Sequence, residues 1–74
     1  MTKITLTIDS MMCIMCETRI NEAIKKAFKK VKVSSSHQTK QTIILTKHQI
    51  DQKELKKIIT DLDHNISNIK IEEE

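Results

Sequence analysis

Residues 3–16 read KITLTIDSMMCIMC, and the change of pattern inside this stretch decides the fold. In its first half Ile4, Leu6 and Ile8 alternate with polar residues, which is the pattern of a half-buried β-strand. From Ile14 onward the apolar residues recur at helical spacing instead. The stretch therefore predicts a strand, then a loop that carries two cysteines, then a helix.

The rest of the chain continues with segments that have one or the other of these two periods. We predict a helix over Ile14–Lys29, strands over Val31–Ser36 and Gln41–Thr46, a second helix after Asp51, and a last strand over Ile66–Ile71 whose irregular alternation indicates a β-bulge. This order predicts a ferredoxin-like βαββαβ sandwich of the α+β class, with two helices on one face of a four-stranded antiparallel sheet. Residues 1–74 are expected to form this single domain.

Local signals mark the second helix and the loop after it. Asp51 is a predicted N-cap, and Glu54 three residues later completes a capping box. Ile50 and Leu55 stand at the positions of the matching hydrophobic staple. The chain contains no glycine and no proline, so any turn residue with positive φ must be of another type. Asn65, in the loop after the second helix, is the predicted one.

The composition is typical of a small soluble intracellular domain. Hydrophobic residues make up 38% and charged residues 31% of the chain, which suits a globular rather than a disordered protein. No apolar run approaches the ~20 residues of a membrane span, and no signal-peptide block precedes the first strand. We therefore expect a cytoplasmic protein whose thiols stay reduced.

The net charge of +3 is unevenly distributed along the chain. Basic residues cluster in or just after the first predicted helix: Arg19, Lys25, Lys26, Lys29, Lys30 and Lys32. This basic cluster is either a solvated helix face, favoured near the C-terminus by the helix dipole, or a docking surface for an acidic partner protein. Nucleic acid is disfavoured as a partner, because single-strand RNA binders of this fold stack bases on sheet aromatics and the predicted strands have none.

Cys13 and Cys16 are the only cysteines in the chain. On a loop at a helix N-terminus both sulfurs can point at one spot as thiolates, which makes either a soft-metal site or a redox pair. Two thiolates suit Cu(I), which accepts low coordination, whereas structural zinc normally takes four ligands. The histidines of the chain are His37, His48 and His64, and the first two are expected to be surface residues. A thioredoxin-like redox protein is disfavoured because the chain lacks the proline that such folds place beside the pair.

The segment Met11-Met12-Cys13-Ile14-Met15-Cys16, between the first strand and the first helix, resembles the metal-binding motif of the heavy-metal-associated domain family. That family comprises small copper chaperones and the metal-binding domains of copper-transporting P-type ATPases, and the resemblance covers Ile4 to Ile71. It implies that Cys13 and Cys16 bind Cu(I) and that Met11 packs beneath the loop. It also implies a carrier, not an enzyme, that passes Cu(I) to a copper-transporting P-type ATPase by thiolate exchange.

Two positions depart from the family pattern, and a third is unusual. Ser10 and Asp63 stand where the family usually has glycine, so both loops are expected to differ in backbone shape. His64 aligns with a loop position that faces the metal and is usually tyrosine or lysine. It is either an exposed loop residue without a role, or a third ligand or hydrogen-bond donor beside the thiolates. The apo protein is expected to be a monomer, with a metal-bridged dimer possible, and the short chain ends favour a free chaperone over an ATPase domain.

Met12 and Met15 flank the thiols. They are expected to pack partly against the loop as flexible thioethers, with transient contact to Cu(I) as the alternative. Met12 also stands where family members that handle zinc or cadmium often have an acidic residue, which favours copper. Three functions remain open: a carrier of Cu(I) or another soft metal ion such as Zn(II), Cd(II) or Hg(II), a thiol–disulfide redox protein, and an interaction domain whose cysteines bind metal only incidentally.

Overall fold

A computed structural model describes residues 1–47 and 50–73, and its elements follow the predicted order. The elements are β1 (Thr2–Thr7), α1 (Ile14–Ala27), β2 (Lys32–Ser36), β3 (Gln41–Thr46), α2 (Gln52–Asp61) and β4 (Asn68–Glu73). All strand pairs are antiparallel, and the strands lie in the order β2-β3-β1-β4. The predicted ferredoxin-like α+β fold is therefore confirmed.

The two faces of the sheet follow from the alternation in β1. Ile4 and Leu6 are fully buried under the helices, and they lie opposite Ile44 and Thr42 of β3, which are buried as well. Residues directly opposite each other share a sheet face. The intervening residues of β1, with their partners, therefore form the face that the helices leave open.

The core lies between this sheet and the apolar stripes of the two helices. α1 contributes Ile20 and Ile24, and α2 contributes Leu55 and Ile59. All four are fully buried. Each buried side chain of this size stabilises the fold by about 1.5–3 kcal/mol relative to an exposed one. The core therefore fixes where each helix begins relative to the sheet, and with it the loops at the helix ends.

Cap residues mark the end of α1 and the start of α2. Phe28 is extended (φ −123°, ψ 113°), so α1 stops at Ala27 and not at the predicted Lys29, while the Phe28 ring packs against the core. The N-terminal cap of α2 is confirmed, because the Asp51 side chain accepts a 2.8 Å hydrogen bond from the backbone N–H of Lys53.

The end of α2 is a Schellman motif. The N–H of His64 bonds to the carbonyl of Ile59 at 3.1 Å, and the N–H of Asp63 bonds to that of Thr60 at 3.0 Å. This motif requires a left-handed residue immediately after the C-cap, and Asp63 has φ 61°. The prediction that Asn65 holds the positive φ was therefore wrong. The other left-handed residues in the described chain are Lys30 and Lys40, both in turns.

The last strand begins later than predicted, at Asn68 rather than Ile66. Its ladder with β1 is unbroken from Asn68 to Glu73, so the predicted bulge does not lie within the strand. The irregularity sits just before it, because Ser67 donates its N–H to the Thr7 carbonyl at 2.8 Å although Asn68 is the registered partner of Thr7. Two residues thus face one at the point where the chain joins the sheet.

Candidate metal centre

The loop that carries the cysteines is tied to the core at both of its ends. Ile8 and Met11 are fully buried, and the N–H of Met11 bonds to the Ile8 carbonyl at 3.1 Å. Asp9 and Ser10 therefore form a tight turn, with both side chains exposed. The chain leaves this turn with the Met11 side chain inside the protein and the next residues outside it. Met11 is thus part of the core, and its supporting role for the loop stays a prediction.

The two thiols meet at the start of α1. Cys13 is the N-cap residue, with an extended backbone (φ −150°, ψ 167°), and Cys16 lies in the first helical turn. The carbonyl of Cys13 accepts the N–H of Glu17 at 3.2 Å, which closes that turn. The two sulfur atoms are 3.1 Å apart, and both cysteines are free thiols. Cys13 is exposed and Cys16 is half-buried, so the pair opens to solvent on the Cys13 side.

The surroundings of Cys13 favour its thiolate. Its pKa is lowered first by the hydrogen bond with the Cys16 side chain and then by the backbone N–H groups of Cys16 and Met15, with a smaller contribution from the charge of Arg19. N–H groups of a first helical turn have no partners within the helix and carry partial positive charge. The helix start thus favours the anionic form of an exposed sulfur, and this is the form that metal ligation and thiol exchange require.

Three apolar residues next to the cysteines in sequence are exposed. Met12, Ile14 and Met15 have 69%, 68% and 66% of their surface exposed. The expectation that Met12 and Met15 pack partly against the loop was wrong. Met11 belongs to the buried core, whereas Met12 and Met15 lie on the outer side of the chain.

The His64 side chain contacts the turn before the cysteines. Its backbone is fixed by the Schellman motif, and its Nδ1 lies 2.7 Å from the Ser10 hydroxyl. Ser10 stands where the family usually has glycine, and His64 follows Asp63, the other such position. The contact therefore connects the loop after β1 with the loop after α2. Within residues 1–47 and 50–73, no group of three or more His, Cys, Asp or Glu side chains is arranged to hold a metal ion. A ligand role for His64 stays a prediction.

A contact between Glu17 and His37 was missed by the sequence reasoning. The Glu17 carboxylate accepts the backbone N–H of His37 at 2.8 Å and also contacts its Nδ1. The bond from the His37 side chain, and then that from its backbone, holds the pKa of Glu17 below its ordinary value. His37 is therefore half-buried and not a free surface residue, and it ties the first turn of α1 to the β2–β3 turn. No local pattern signals this pairing of residues 20 positions apart. His48 lies outside the described residues.

The predicted basic cluster is exposed along its whole length, from Arg19 to Lys32. It begins one turn after Cys16, so it continues from the rim of the thiol site along the outer side of α1. Neither helix in the described part of the chain has the length and apolar character to cross a bilayer.

Comparison with known proteins identifies the fold. No family model matches the chain, and no curated protein matches its sequence. Similar solved structures include a variant of the copper chaperone Atx1 from Synechocystis PCC6803, with a TM-score of 0.75, 16% identity and coverage of 85% of this chain and 97% of that one. A heavy-metal-binding protein from Thermotoga maritima has a TM-score of 0.74 and 19% identity, and the match covers 92% of this chain and 96% of that one. Oxidised MerP from Ralstonia metallidurans CH34 has a TM-score of 0.73 and 26% identity, and the match covers 90% of this chain and 96% of that one.

These neighbours confirm the resemblance seen in the sequence at the level of the fold. The chain has the fold of a heavy-metal-associated domain, over nearly its whole length. The strand-to-helix loop with its two thiols lies within that fold.

Proposed function

We propose that the protein is a carrier of a soft metal ion, with Cu(I) as its cargo, bound between Cys13 and Cys16. The observation that carries the proposal is the pair of free thiols 3.1 Å apart at the exposed N-terminus of α1. The fold shared with a copper chaperone and with a heavy-metal-binding protein supports it. The protein acts as a carrier and not as an enzyme, because it moves an ion without making or breaking bonds in a substrate.

The donor set favours Cu(I) over harder ions. Both ligands are soft sulfur atoms, and Cu(I) accepts as few as two of them. The lowered pKa of Cys13 supplies the thiolate that ligation needs. Neutral Met12 precedes Cys13 and adds no hard oxygen donor.

Transfer proceeds by ligand exchange without any change of oxidation state. A thiolate of the partner adds to the bound Cu(I) to give a three-coordinate intermediate. One sulfur of this chain then leaves and takes up a proton. A second thiolate of the partner adds next, the other sulfur of this chain leaves and is protonated in turn, and the two protons are those that the partner's thiols released. An exposed site is required for this route, and the solvent-facing Cys13 provides it.

The partner is a metal-binding domain of a copper-transporting P-type ATPase in the cytoplasm, with an acidic surface. The basic cluster, which starts at Arg19, supplies the complementary charge. Because these side chains are exposed, their attraction to the partner is screened by salt. Complex formation should therefore weaken as ionic strength rises.

The decisive experiment is an anaerobic Cu(I) titration against a chromophoric chelator in a reducing-agent-controlled buffer. The wild type should take up one equivalent of Cu(I) from the chelator. Cys13→Ser and Cys16→Ser should each leave the Cu(I) bound to the chelator. Met15→Ala is the matched control, since it removes an exposed sulfur in the first turn of α1 and keeps both cysteines and the backbone N–H of residue 15. X-ray absorption on the wild type and on His64→Ala counts sulfur and nitrogen neighbours. Failure of the reduced wild type to compete for Cu(I) would refute the proposal.

Competition with Zn(II), Cd(II) and Hg(II) for the Cu(I) site tests the identity of the metal ion separately.

A thiol–disulfide redox function remains the second candidate, because a lowered cysteine pKa also serves thiol exchange. A disulfide reductase assay separates the two. Turnover by the wild type that is lost in Cys13→Ser would favour the redox function.

A further inference from the structure

Among the residues that the structure describes, no strand pairs with the outer side of β4. β4 stands at one end of the sheet order β2-β3-β1-β4. The N–H of Ile8 bonds to the Lys40 carbonyl at 2.8 Å and continues the register of β1 with β3. Bonds to the two neighbours of a strand alternate along it, so the even-numbered residues of β1 bond to β3 and the odd-numbered ones to β4. The bond from Ser67 to the Thr7 carbonyl agrees with this assignment.

This alternation decides which backbone groups of β4 point outward. The partners of the odd-numbered β1 residues are Asn68, Lys70 and Glu72, which therefore bond inward. Ile69, Ile71 and Glu73 direct their N–H and carbonyl groups away from the sheet. Such a row of backbone groups is a template for another strand.

The side chains along this edge carry opposite charges two residues apart. Lys70 and Glu72 project from the open sheet face, where Lys70 Nζ lies 3.7 Å from Glu72 Oε1. Ile71, between them, lies on the opposite face and is 44% exposed. Charged residues on an edge ordinarily discourage strand pairing. Here the order of the charges is self-complementary. When two copies of the strand run antiparallel about Ile71, Lys70 of each copy lies opposite Glu72 of the other.

We propose that β4 pairs in antiparallel fashion with β4 of a second copy of this chain, with Ile71 opposite the partner's Ile71. The two Ile71 residues exchange both backbone hydrogen bonds. Lys70 lies opposite the partner's Glu72, and Glu72 opposite the partner's Lys70. These pairs flank the hydrogen-bonded pair and so occupy the closer type of position, where side chains interact best.

The charges select this register over the neighbouring registers that the backbone also allows. A pairing centred on Lys70 or on Glu72 also uses only the outward backbone groups, but it places that charged residue directly opposite its own copy in the partner. A pairing centred on Ile69 satisfies the backbone but loses both ion pairs. A groove of about 240 Å³ with a mixed lining also opens beside Ile71, and its apolar part is formed by Ile4, Ile50 and Ile71. In the proposed register the partner's Ile71 lies next to this groove and covers apolar surface there.

This association leaves the metal centre free. Ile71 pairs with Ile4 in the first half of β1, whereas the cysteine loop follows the other end of that strand. Because the pairing is antiparallel, the two cysteine loops point to opposite ends of an eight-stranded sheet. The dimer is therefore independent of metal and distinct from one in which Cu(I) bridges two copies. An interface of two short strands is small, so the dimer should be weak.

Sedimentation equilibrium of the reduced, metal-free protein tests the proposal through charge exchange. Lys70→Glu or Glu72→Lys opposes like charges twice, and each should weaken dimerisation by about tenfold. The double variant K70E/E72K should restore it. An equimolar mixture of the two single variants should also restore it, as a heterodimer with both ion pairs intact. Circular dichroism melts of each variant verify that the monomer remains folded.

Two controls separate this edge from other surfaces. Glu22→Lys makes the same charge change on the exposed side of α1 and should leave the dimerisation constant unchanged. Cys13→Ser should also leave it unchanged, which distinguishes failure of this proposal from failure of the metal-carrier function. A wild type that stays monomeric up to about 1 mM would overturn the inference. So would single and double charge variants with the same constant as the wild type.

Discussion

Replacing Met11 with alanine tests whether this residue supports the cysteine loop from within the core. Its side chain is fully buried, and its N–H bonds to the Ile8 carbonyl at the base of the loop. Truncating a buried methionine costs about 2–5 kcal/mol, because apolar contacts are lost and a cavity remains. A chain of this length has about 4–11 kcal/mol of stability in total. The variant should therefore lose a large share of it, and its melting temperature should fall by at least about 10 °C.

Two exposed methionines nearby, Met12 in the loop and Met15 in the first turn of α1, provide matched controls. Met12 and Met15 are 69% and 66% exposed, so alanine at either position should change the free energy of unfolding by less than about 0.5 kcal/mol. Thermal unfolding of the reduced, metal-free proteins, followed by circular dichroism, measures all three variants. A loss in Met11→Ala no larger than that in Met12→Ala would refute the reasoning.

Met11→Leu separates packing from ligation by the thioether. Leucine conserves the volume of methionine, so the cost should stay below about 1.5 kcal/mol. If Met11 acts only through packing, Met11→Leu should bind Cu(I) with the affinity of the wild type in the chelator competition. A folded Met11→Leu protein with clearly weaker binding would instead make the Met11 sulfur a ligand.

Three further predictions concern the loops around the site. Cys13 should react with iodoacetamide faster than Cys16 at neutral pH, as measured by mass spectrometry of the digested protein, because its pKa is lowered and its sulfur is exposed. Asp63→Gly should raise the free energy of unfolding in urea by up to about 1 kcal/mol, since Asp63 has φ 61°, whereas Asp63→Val should lower it. The pKa of Glu17 is lowered in the folded state, so its contribution is fully present above the ordinary carboxyl pKa and is lost as the pH falls through the folded value. The stability difference between wild type and Glu17→Gln should accordingly shrink on acidification in a urea titration series, and a difference independent of pH would contradict this assignment.

The sequence predicted the elements well because their signals are local. Period-two alternation in β1 and the helical recurrence of Ile20 and Ile24 each depend on neighbours within two or four positions. β3 was predicted with its observed bounds, because a β-branched apolar run stands between polar residues there. Errors fell at the ends of elements, as at Phe28, where packing of the ring against the core ends the helix before the sequence pattern stops.

The loop after α2 shows how a correct composition argument can choose the wrong residue. A chain without glycine must place some other residue type at positive φ, and asparagine is the usual choice. The left-handed position is instead set by where α2 ends, since the Schellman motif places it one residue after the C-cap Leu62. That residue is Asp63. Asp63 stands where the family usually has glycine, the residue that most readily adopts positive φ. This position would have been a better prediction for the left-handed residue than Asn65.

The candidate site divides along the same line between local and distant contacts. The convergence of Cys13 and Cys16 was predictable because three residues at a helix start bring two side chains together whatever the rest of the fold does. The contacts of Ser10 with His64 and of Glu17 with His37 join residues 54 and 20 positions apart, and only the packed sheet and helices bring them together. These two contacts bind the turn before the thiols and the helix turn after them to other parts of the chain. The chemistry of the site is thus set by local sequence, while the rigidity of its loop depends on tertiary contacts. Variants of His37 and His64 should on this reasoning alter how firmly the thiol pair is held, even where neither residue contacts the metal ion.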